Sequence, residues 1–190
     1  AYMIRGDIFA TDKNTLSDAE EDYKAAIENA FKGEIGPVVA LSKLYNQTGR
    51  GEEAVELLKP VKEAARDDAA LATTLGVAYL GAGDYGSAEE WFRRALELRP
   101  DDVDARFQLG LAQVEQKKYE EAVVTLEAAY KASGEREDIG IRLATMYEQM
   151  GMRERAYKQY DKLLAVVEKG PDGKETGPSI NLRSQAGRFF

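Results

Sequence analysis

Residue columns recur along this chain with a spacing of 34 positions. One column is leucine in four successive registers: Leu41, Leu75, Leu109 and Leu143. Another column is alanine in the same four registers: Ala54, Ala88, Ala122 and Ala156. A fixed period in this range is typical of chains built from stacked structural repeats, and it constrains the fold more strongly than composition does.

The columns predict two helices in each repeat. Leu75 and Tyr79 are four positions apart and therefore share one face of a first helix. Ala88 and Phe92 have the same spacing and share one face of a second helix. Gly83 falls between the two helices and marks a turn. Such a helix pair cannot bury its apolar face alone, so we expect each pair to pack on its neighbours.

The pattern in the segment 75–79, followed by Ala88 and Phe92 at a period of 34, resembles the tetratricopeptide repeat. The closing proline of that family appears once, as Pro100. The resemblance covers residues 35–170. It implies an all-α fold, a right-handed α-solenoid of antiparallel helix pairs.

The repeat register predicts how the chain is divided. Four full repeats occupy residues 35–68, 69–102, 103–136 and 137–170. Residues 1–34 match a divergent, partial repeat whose turn is one residue longer. Residues 171–190 contain a loop and then either a capping helix or a flexible tail. Because the first helix begins at once and has no cap, we expect residue 1 to lie inside a longer natural chain.

Several residues predict where individual helices begin, bend or end. Ser17 and Glu20 have the spacing of an N-cap and capping box. Pro60 lies inside a predicted second helix, where we expect a kink because proline cannot donate the helical hydrogen bond. Asp67 and Asp68 precede a first helix and are expected to cap it.

Composition excludes several classes of function. The chain has no cysteine and no histidine, which removes thiol catalysis, the commonest general base and the commonest metal ligands. We therefore predict no enzymatic activity, no cofactor and no metal site. The net charge of −8 argues against nucleic acid as a partner. No apolar run approaches the ~18 residues of a membrane span, so we expect no membrane insertion, and the cellular compartment stays undetermined.

The family resemblance also implies where a partner binds. In tetratricopeptide repeats the first helices line a concave groove that holds a peptide or a partner segment. Carried over to this sequence, the groove positions are Lys43, Asn46, Thr73, Val77, Leu80, Phe107, Leu111, Val114, Glu115, Ile141, Thr145 and Glu148. The middle of this set is apolar, which favours an apolar peptide or an amphipathic helix as the ligand.

Alternatives to a peptide groove are open at this point. The apolar side chains could pack on one another or on the tail ending in Phe189 and Phe190. The chain could be a self-assembling structural module that associates through residues 179–190. It could also be the recruiting arm of an enzyme encoded elsewhere in a longer chain. A clamp for acidic chaperone tails is not expected, because Lys43 is the one basic residue at the matching positions. Trp91 is expected to pack at a repeat boundary.

Overall fold

The computed structural model describes residues 2–10, 15–30, 34–165, 168–169 and 175–176. Apart from one short pair of strands, the described part is helical, and the all-α class that the sequence predicts is confirmed. The helices of the described part are α1 (Tyr2–Phe9), α2 (Leu16–Glu28), α3 (Gly36–Gln47), α4 (Gly51–Leu58), α5 (Ala69–Gly81), α6 (Tyr85–Leu98), α7 (Val103–Glu115), α8 (Tyr119–Ala132), α9 (Glu137–Gln149) and α10 (Arg153–Leu164). Two short strands, β1 (Glu168–Lys169) and β2 (Glu175–Thr176), pair antiparallel.

The chain forms two compact units, Ala1–Ala105 and Arg106–Phe190, which we call unit 1 and unit 2. In unit 1, α1 packs on α2, α3 on α4 and α5 on α6, so that each first helix contacts the second helix that follows it. In unit 2, α9 packs on α10 in the same way, and α8 also contacts α9.

The repeat columns form the core of each unit. The four leucines of the first column are at most 5% exposed, and the four alanines of the second column are fully buried. Four large side chains alternate with these alanines and are at most 1% exposed: Leu58, Phe92, Leu126 and Tyr160. The columns predicted from the sequence are therefore confirmed as core positions.

Small residues in the first helices allow close contact with these large side chains. A Cβ atom at Gly76 would lie 2.6 Å from Cε1 of Phe92, so any larger residue would collide with the ring. Gly6 has the same relation to Tyr23, where a Cβ atom would lie 2.7 Å from ring atom Cε1. Gly6 and Tyr23 are separated by one residue more than Gly76 and Phe92, which matches the longer turn predicted for residues 1–34.

The proline at position 60 has a stronger effect than the predicted kink. The α-helical part of α4 ends at Leu58, and single 3-10 turns follow at Lys59–Val61 and Ala64–Arg66. Because Pro60 has no N–H group and its ring collides with the preceding turn, the α-helical bonding stops there. Val61 is only half-buried as a result, whereas its counterpart Ala95 is fully buried.

The predicted capping box at Ser17 is wrong. Helix α2 begins at Leu16, so Ser17 lies within the first turn and not before it. Glu20 instead accepts hydrogen bonds from the Arg50 guanidinium, at 2.6 and 3.2 Å. These bonds lower the pKa of Glu20 to about 2, against the opposing effect of burial, with help from Lys24. The carboxylate therefore links α2 to the start of α4.

The capping prediction for α5 is confirmed at Asp68. Its side chain accepts hydrogen bonds from the N–H groups of Ala70 and Leu71, at 2.8 and 3.1 Å. Asp67 does not cap the helix; its side chain is 93% exposed and lies 3.6 Å from the Arg94 guanidinium. One aspartate is sufficient because the N-cap position satisfies the first N–H groups of the helix.

Two further findings concern the ends and surfaces of the chain. None of the described helices combines the length and the apolar character required to span a bilayer. The segment predicted to be a capping helix or tail, residues 179–190, lies outside the described residues.

Candidate functional site

Two cavities that share a lining residue lie along the first helices of unit 1. One has a volume of about 310 Å³, and we call it the Val77 cavity. It is lined by Lys43, Asn46, Ala70, Thr73, Thr74, Val77, Arg99, Asp102 and Asp104. The other has a volume of about 330 Å³, and we call it the Val39 cavity. It is lined by Met3, Asp7, Ala10, Tyr23, Gly36, Val39, Ala40, Lys43, Leu44 and Gln47.

Lys43 belongs to the lining of both cavities. It lies on α3, four residues after Val39 and three before Asn46, so these side chains share one side of the helix. The Lys43 side chain is exposed and forms no ion pair with any residue that the structure describes. It therefore places an unpaired positive charge where the two cavities adjoin.

Asn46 presents an unusual amide group in the wall of the Val77 cavity. Neither its Oδ1 nor its Nδ2 atom has a hydrogen-bond partner in the described chain, although both atoms are buried. The group is confined by Gly81, where an added Cβ atom would come within 2.5 Å of Asn46 Oδ1. A buried amide without partners is costly, so an external donor or acceptor that reached it would be favoured.

Small side chains form much of the wall of the Val77 cavity, and charged residues lie at one end of it. The hydroxyl of Thr73 donates to the Ala69 carbonyl at 2.9 Å, and that of Thr74 donates to the Ala70 carbonyl at 2.9 Å. Both hydroxyl protons are thus used within α5, and Val77 is half-buried beside them. The charged end contains Arg99, whose guanidinium lies 3.5 Å from the Asp102 carboxylate.

The Val39 cavity contains a fixed pair of polar groups. The Tyr23 hydroxyl donates to Asp7 at 2.8 Å. Burial is the main cause that raises the pKa of Tyr23 to about 12, and the bond to Asp7 acts in the same direction. This phenol therefore stays protonated and can hold the Asp7 carboxylate in place at the cavity wall.

The structure brings together most of the site residues predicted in unit 1. Lys43, Asn46, Thr73 and Val77 line the same cavity, and Leu80 is half-buried but lines neither of the two cavities. Sequence reasoning missed the lining residues Ala70, Thr74, Arg99, Asp102 and Asp104. The sequence pattern does not single these residues out as ligand-binding positions. Asp102, for example, stands where a helix cap is expected. It does cap α7, accepting from the Ala105 N–H at 2.9 Å.

The site residues predicted in unit 2 lie on α7 and α9. Most are half-buried, and only Glu115 is exposed: Phe107, Leu111, Val114, Glu115, Ile141, Thr145 and Glu148. Glu115 lies 3.9 Å from the Arg142 guanidinium, which links the two first helices. The hydroxyl of Thr145 donates to the Ile141 carbonyl at 3.0 Å, so it is already used within α9.

The described residues contain no group of three or more acidic, cysteine or histidine side chains arranged to hold a metal ion.

The Trp91 side chain lies outside the two cavities and is 7% exposed. The linings of the Val39 and Val77 cavities offer hydrogen-bonding groups, charged groups and apolar side chains to a ligand.

Comparisons with known proteins agree with this architecture. Two family models, both described as tetratricopeptide repeat, match residues 39–101 and 73–137. Protein FlbA of Caulobacter vibrioides is 29% identical over 119 residues, covering 63% of this chain and 19% of FlbA. Anaphase-promoting complex subunit 3 of Schizosaccharomyces pombe is 24% identical over 204 residues, covering 100% of this chain and 29% of that protein. The chain therefore spans less than a third of either relative.

Two solved structures illustrate the similarity of the fold. A MamA structure, MSR-1 C2, has a TM-score of 0.66 and 25% identity, covering 85% of this chain and 91% of MamA. TTC0263, a thermophilic TPR protein in Thermus thermophilus, has a TM-score of 0.72 and 19% identity. It covers 98% of this chain, and the match includes 96% of its own length. At that identity the likeness concerns the fold alone.

Proposed function

Since this chain belongs to the tetratricopeptide repeat family, we propose that the first-helix face of unit 1 binds an extended peptide segment of a partner protein. The repeats make the chain a protein–protein interaction scaffold in general terms, and proteins of this kind are generally not enzymes. The proposal adds the location of the binding face and the form of the ligand. The positions predicted on the first helices of unit 2 are proposed as partner-binding positions in their own right, and they are tested separately below.

The observation that carries the proposal is the pair of cavities joined at Lys43. Each has a volume of about 300 Å³. This is at the lower limit for a small-molecule site and suits one or two side chains. Alternate side chains of an extended segment point to the same side, so such a segment can fill successive cavities along a surface.

The chemistry of the Val77 cavity indicates which groups the peptide presents. An aliphatic side chain would contact Val77, Ala70 and the Thr73 methyl group. A backbone amide of the peptide could both donate to and accept from the Asn46 side chain, which has no partner in the described chain. Polar or acidic groups of the peptide would approach Lys43. Burial of apolar surface would provide the affinity, and the hydrogen bonds to the Asn46 amide group would fix the orientation of the peptide.

The experiment is selection of binding peptides from a displayed random library, followed by calorimetric titration of the selected peptides. Val77→Glu places a charge in the cavity wall, and we expect it to weaken binding about tenfold or more. Lys43→Ala should weaken it less, because an exposed charge contributes less. The matched control is Val124→Glu on α8, because Val124 is 66% exposed and far from these helices in sequence. We expect it to leave binding within about twofold.

The unit 2 positions need their own test. Leu111→Glu should weaken binding if the ligand also uses the first helices of unit 2, and leave it unchanged if unit 1 is sufficient. The proposal for unit 1 is contradicted if the selected peptides bind Val77→Glu and Lys43→Ala as tightly as the parent chain. The circular dichroism spectra of all variants should match that of the parent.

A further inference from the structure

A third cavity in unit 1 shares no lining residue with the other two. It has a volume of about 300 Å³, and we call it the Trp91 cavity. Its walls come from the 3-10 segment after α4 and from one face of α6: Lys62, Arg66, Glu90, Trp91, Arg94 and Glu97. Helix α4 has 8 residues, against 14 in α6 and in α8. Because Pro60 ends α4 early, the segment that follows leaves this space beside α6.

Lys62 is the group in this cavity that needs an explanation. Its ammonium lies 5.6 Å from the centre of the Tyr79 ring and 5.9 Å from that of the Trp91 ring. It also donates to the Tyr79 hydroxyl at 3.3 Å. Lys62 is half-buried and forms no ion pair with the residues that the structure describes. The hydrogen bonds from Ser87 are the main cause that lowers the pKa of Asp84, and the charge of Lys62 adds to it, but Lys62 does not pair with that carboxylate.

Other cations that lie over aromatic rings in this chain contact a carboxylate. Arg50 lies 4.1 Å from the centre of the Tyr45 ring and pairs with Glu20 at 2.6 Å. The same holds for three further cations, whose ring and carboxylate partners are Tyr2 and Asp22 for Arg5, Tyr147 and Glu127 for Arg155, and Tyr130 and Glu135 for Lys162. Among the ring-bound cations of the described residues, Lys62 therefore stands apart.

The two arginines of the Trp91 cavity are matched within the chain. The Arg94 guanidinium donates to the Arg66 carbonyl at 2.6 Å and pairs with Glu97 at 2.8 Å. Arg66 pairs with Glu63 at 3.1 Å. Lys62 is thus the cation of this cavity that lacks an anion among the described residues, although it has already lost part of its hydration. A carboxylate brought from outside would form a charge-assisted hydrogen bond with it.

We propose that the Trp91 cavity is a docking site for an acidic side chain of a partner protein, with Lys62 as the recognising cation. Charge complementarity supports this occupant. The chain as a whole has a net charge of −8, whereas the lining of this cavity contains three cations and two carboxylates. The site is separate from the first-helix face and does not depend on what binds there.

Trp91 provides a direct measurement, since it is the only tryptophan of the chain and lies in the cavity wall. The probes are a blocked tetraglutamate peptide, the matching tetraglutamine peptide and inorganic phosphate. We expect tetraglutamate to change the Trp91 fluorescence in a saturable way and tetraglutamine to leave it unchanged. In Lys62→Gln the tetraglutamate affinity should fall about tenfold. Lys62→Arg should retain most of it, because it keeps the charge.

The control is Lys59→Gln, three residues earlier. Lys59 is exposed, pairs with Glu56 at 2.5 Å and does not line the cavity, so this variant should bind like the parent. The proposal is overturned if tetraglutamate and tetraglutamine give the same response, or if Lys62→Gln binds tetraglutamate as the parent does. Tighter binding of phosphate than of tetraglutamate would also overturn it, because the site would then recognise a phosphate group.

Discussion

The turns of the predicted repeats 69–102 and 103–136 have the same backbone but different side chains. In the first, the Asp84 N–H donates to the Tyr79 carbonyl at 3.0 Å; in the second, the Lys118 N–H donates to the Gln113 carbonyl at 2.9 Å. Both are the six-to-one bond of a Schellman motif. The residue before each donor is left-handed, Gly83 with φ of 78° and Lys117 with φ of 62°.

The first turn has favourable residues and the second does not. Glycine adopts a positive φ without strain, whereas lysine does so at a cost of roughly 1–2 kcal/mol. Asp84 caps α6 by accepting from the Ser87 N–H at 3.1 Å, but Lys118 makes no side-chain cap on α8. The backbone is nevertheless the same, so packing of the core columns determines the repeat, and turn chemistry adjusts only its stability.

The largest expected difference concerns the glycines that contact the core. Gly76→Ala should destabilise the chain by about 1–2 kcal/mol, because the Phe92 ring cannot yield, even after the ~1 kcal/mol that alanine gains in a helix. Gly110→Ala should change stability by less than about 1 kcal/mol, since its Cβ atom would lie 2.6 Å from Cδ2 of Leu126, and a leucine side chain can change rotamer whereas an aromatic ring is rigid. Urea unfolding midpoints provide the measurement. If Gly110→Ala lowered the free energy of unfolding as much as Gly76→Ala or more, the difference expected between the Phe92 ring and the Leu126 side chain would be contradicted.

The cap of the second helix should have the next largest effect. Asp84→Ala is expected to destabilise by about 1 kcal/mol, and Asp84→Asn should be close to neutral because asparagine also caps. Lys118→Asp should stabilise by up to about 1 kcal/mol, since an aspartate there can accept from the Glu121 N–H. Thermal unfolding of the three variants checks this. If Lys118→Asp lowers the midpoint, repulsion from Glu120 and Glu121 outweighs the cap.

The left-handed positions should give an effect no larger than that of the cap. Gly83→Ala is expected to cost about 1 kcal/mol, because alanine must adopt a positive φ. Lys117→Gly should gain less than about 1 kcal/mol, since relief of strain is partly offset by the greater entropy of the unfolded chain. In the double variant, Gly83→Ala with Lys117→Gly, the second turn should have the less strained backbone. A destabilised Lys117→Gly variant, measured by urea unfolding, would mean that the Lys117 side chain contributes more than its backbone costs.

Much of the fold could be predicted because it depends on local spacing. Leu75, Ala88 and Phe92 recur in register, and helix periodicity alone places them on the faces that pack together. Asp68 could be assigned as a cap because its side chain bonds to N–H groups only two and three residues later, which is a local interaction. The repeat register likewise placed the small Gly76 opposite a large side chain.

The remaining features depend on contacts between distant residues. The local pattern predicts a capping box for Glu20, but its partner Arg50 is 30 positions away. Pro60 indicated a kink; whether the helix resumed or ended depended on how residues 59–68 pack. The two cavities at Lys43 require α1 and α5 to lie on either side of α3, which no local pattern states. Four residues that line the Val77 cavity, Lys43, Asn46, Thr73 and Val77, are among the groove positions that the sequence predicts. The polar residues Arg99, Asp102 and Asp104 are not.

The central claim, that the first-helix face of unit 1 binds a partner peptide, is tested most directly by nuclear magnetic resonance. Amide chemical shifts of the ¹⁵N-labelled chain would be compared with and without a selected peptide. We expect the largest shifts in α3 and α5, around Lys43, Asn46, Thr73 and Val77. Shifts that instead concentrate in the second helices α4 and α6, with those four residues unchanged, would contradict the claim.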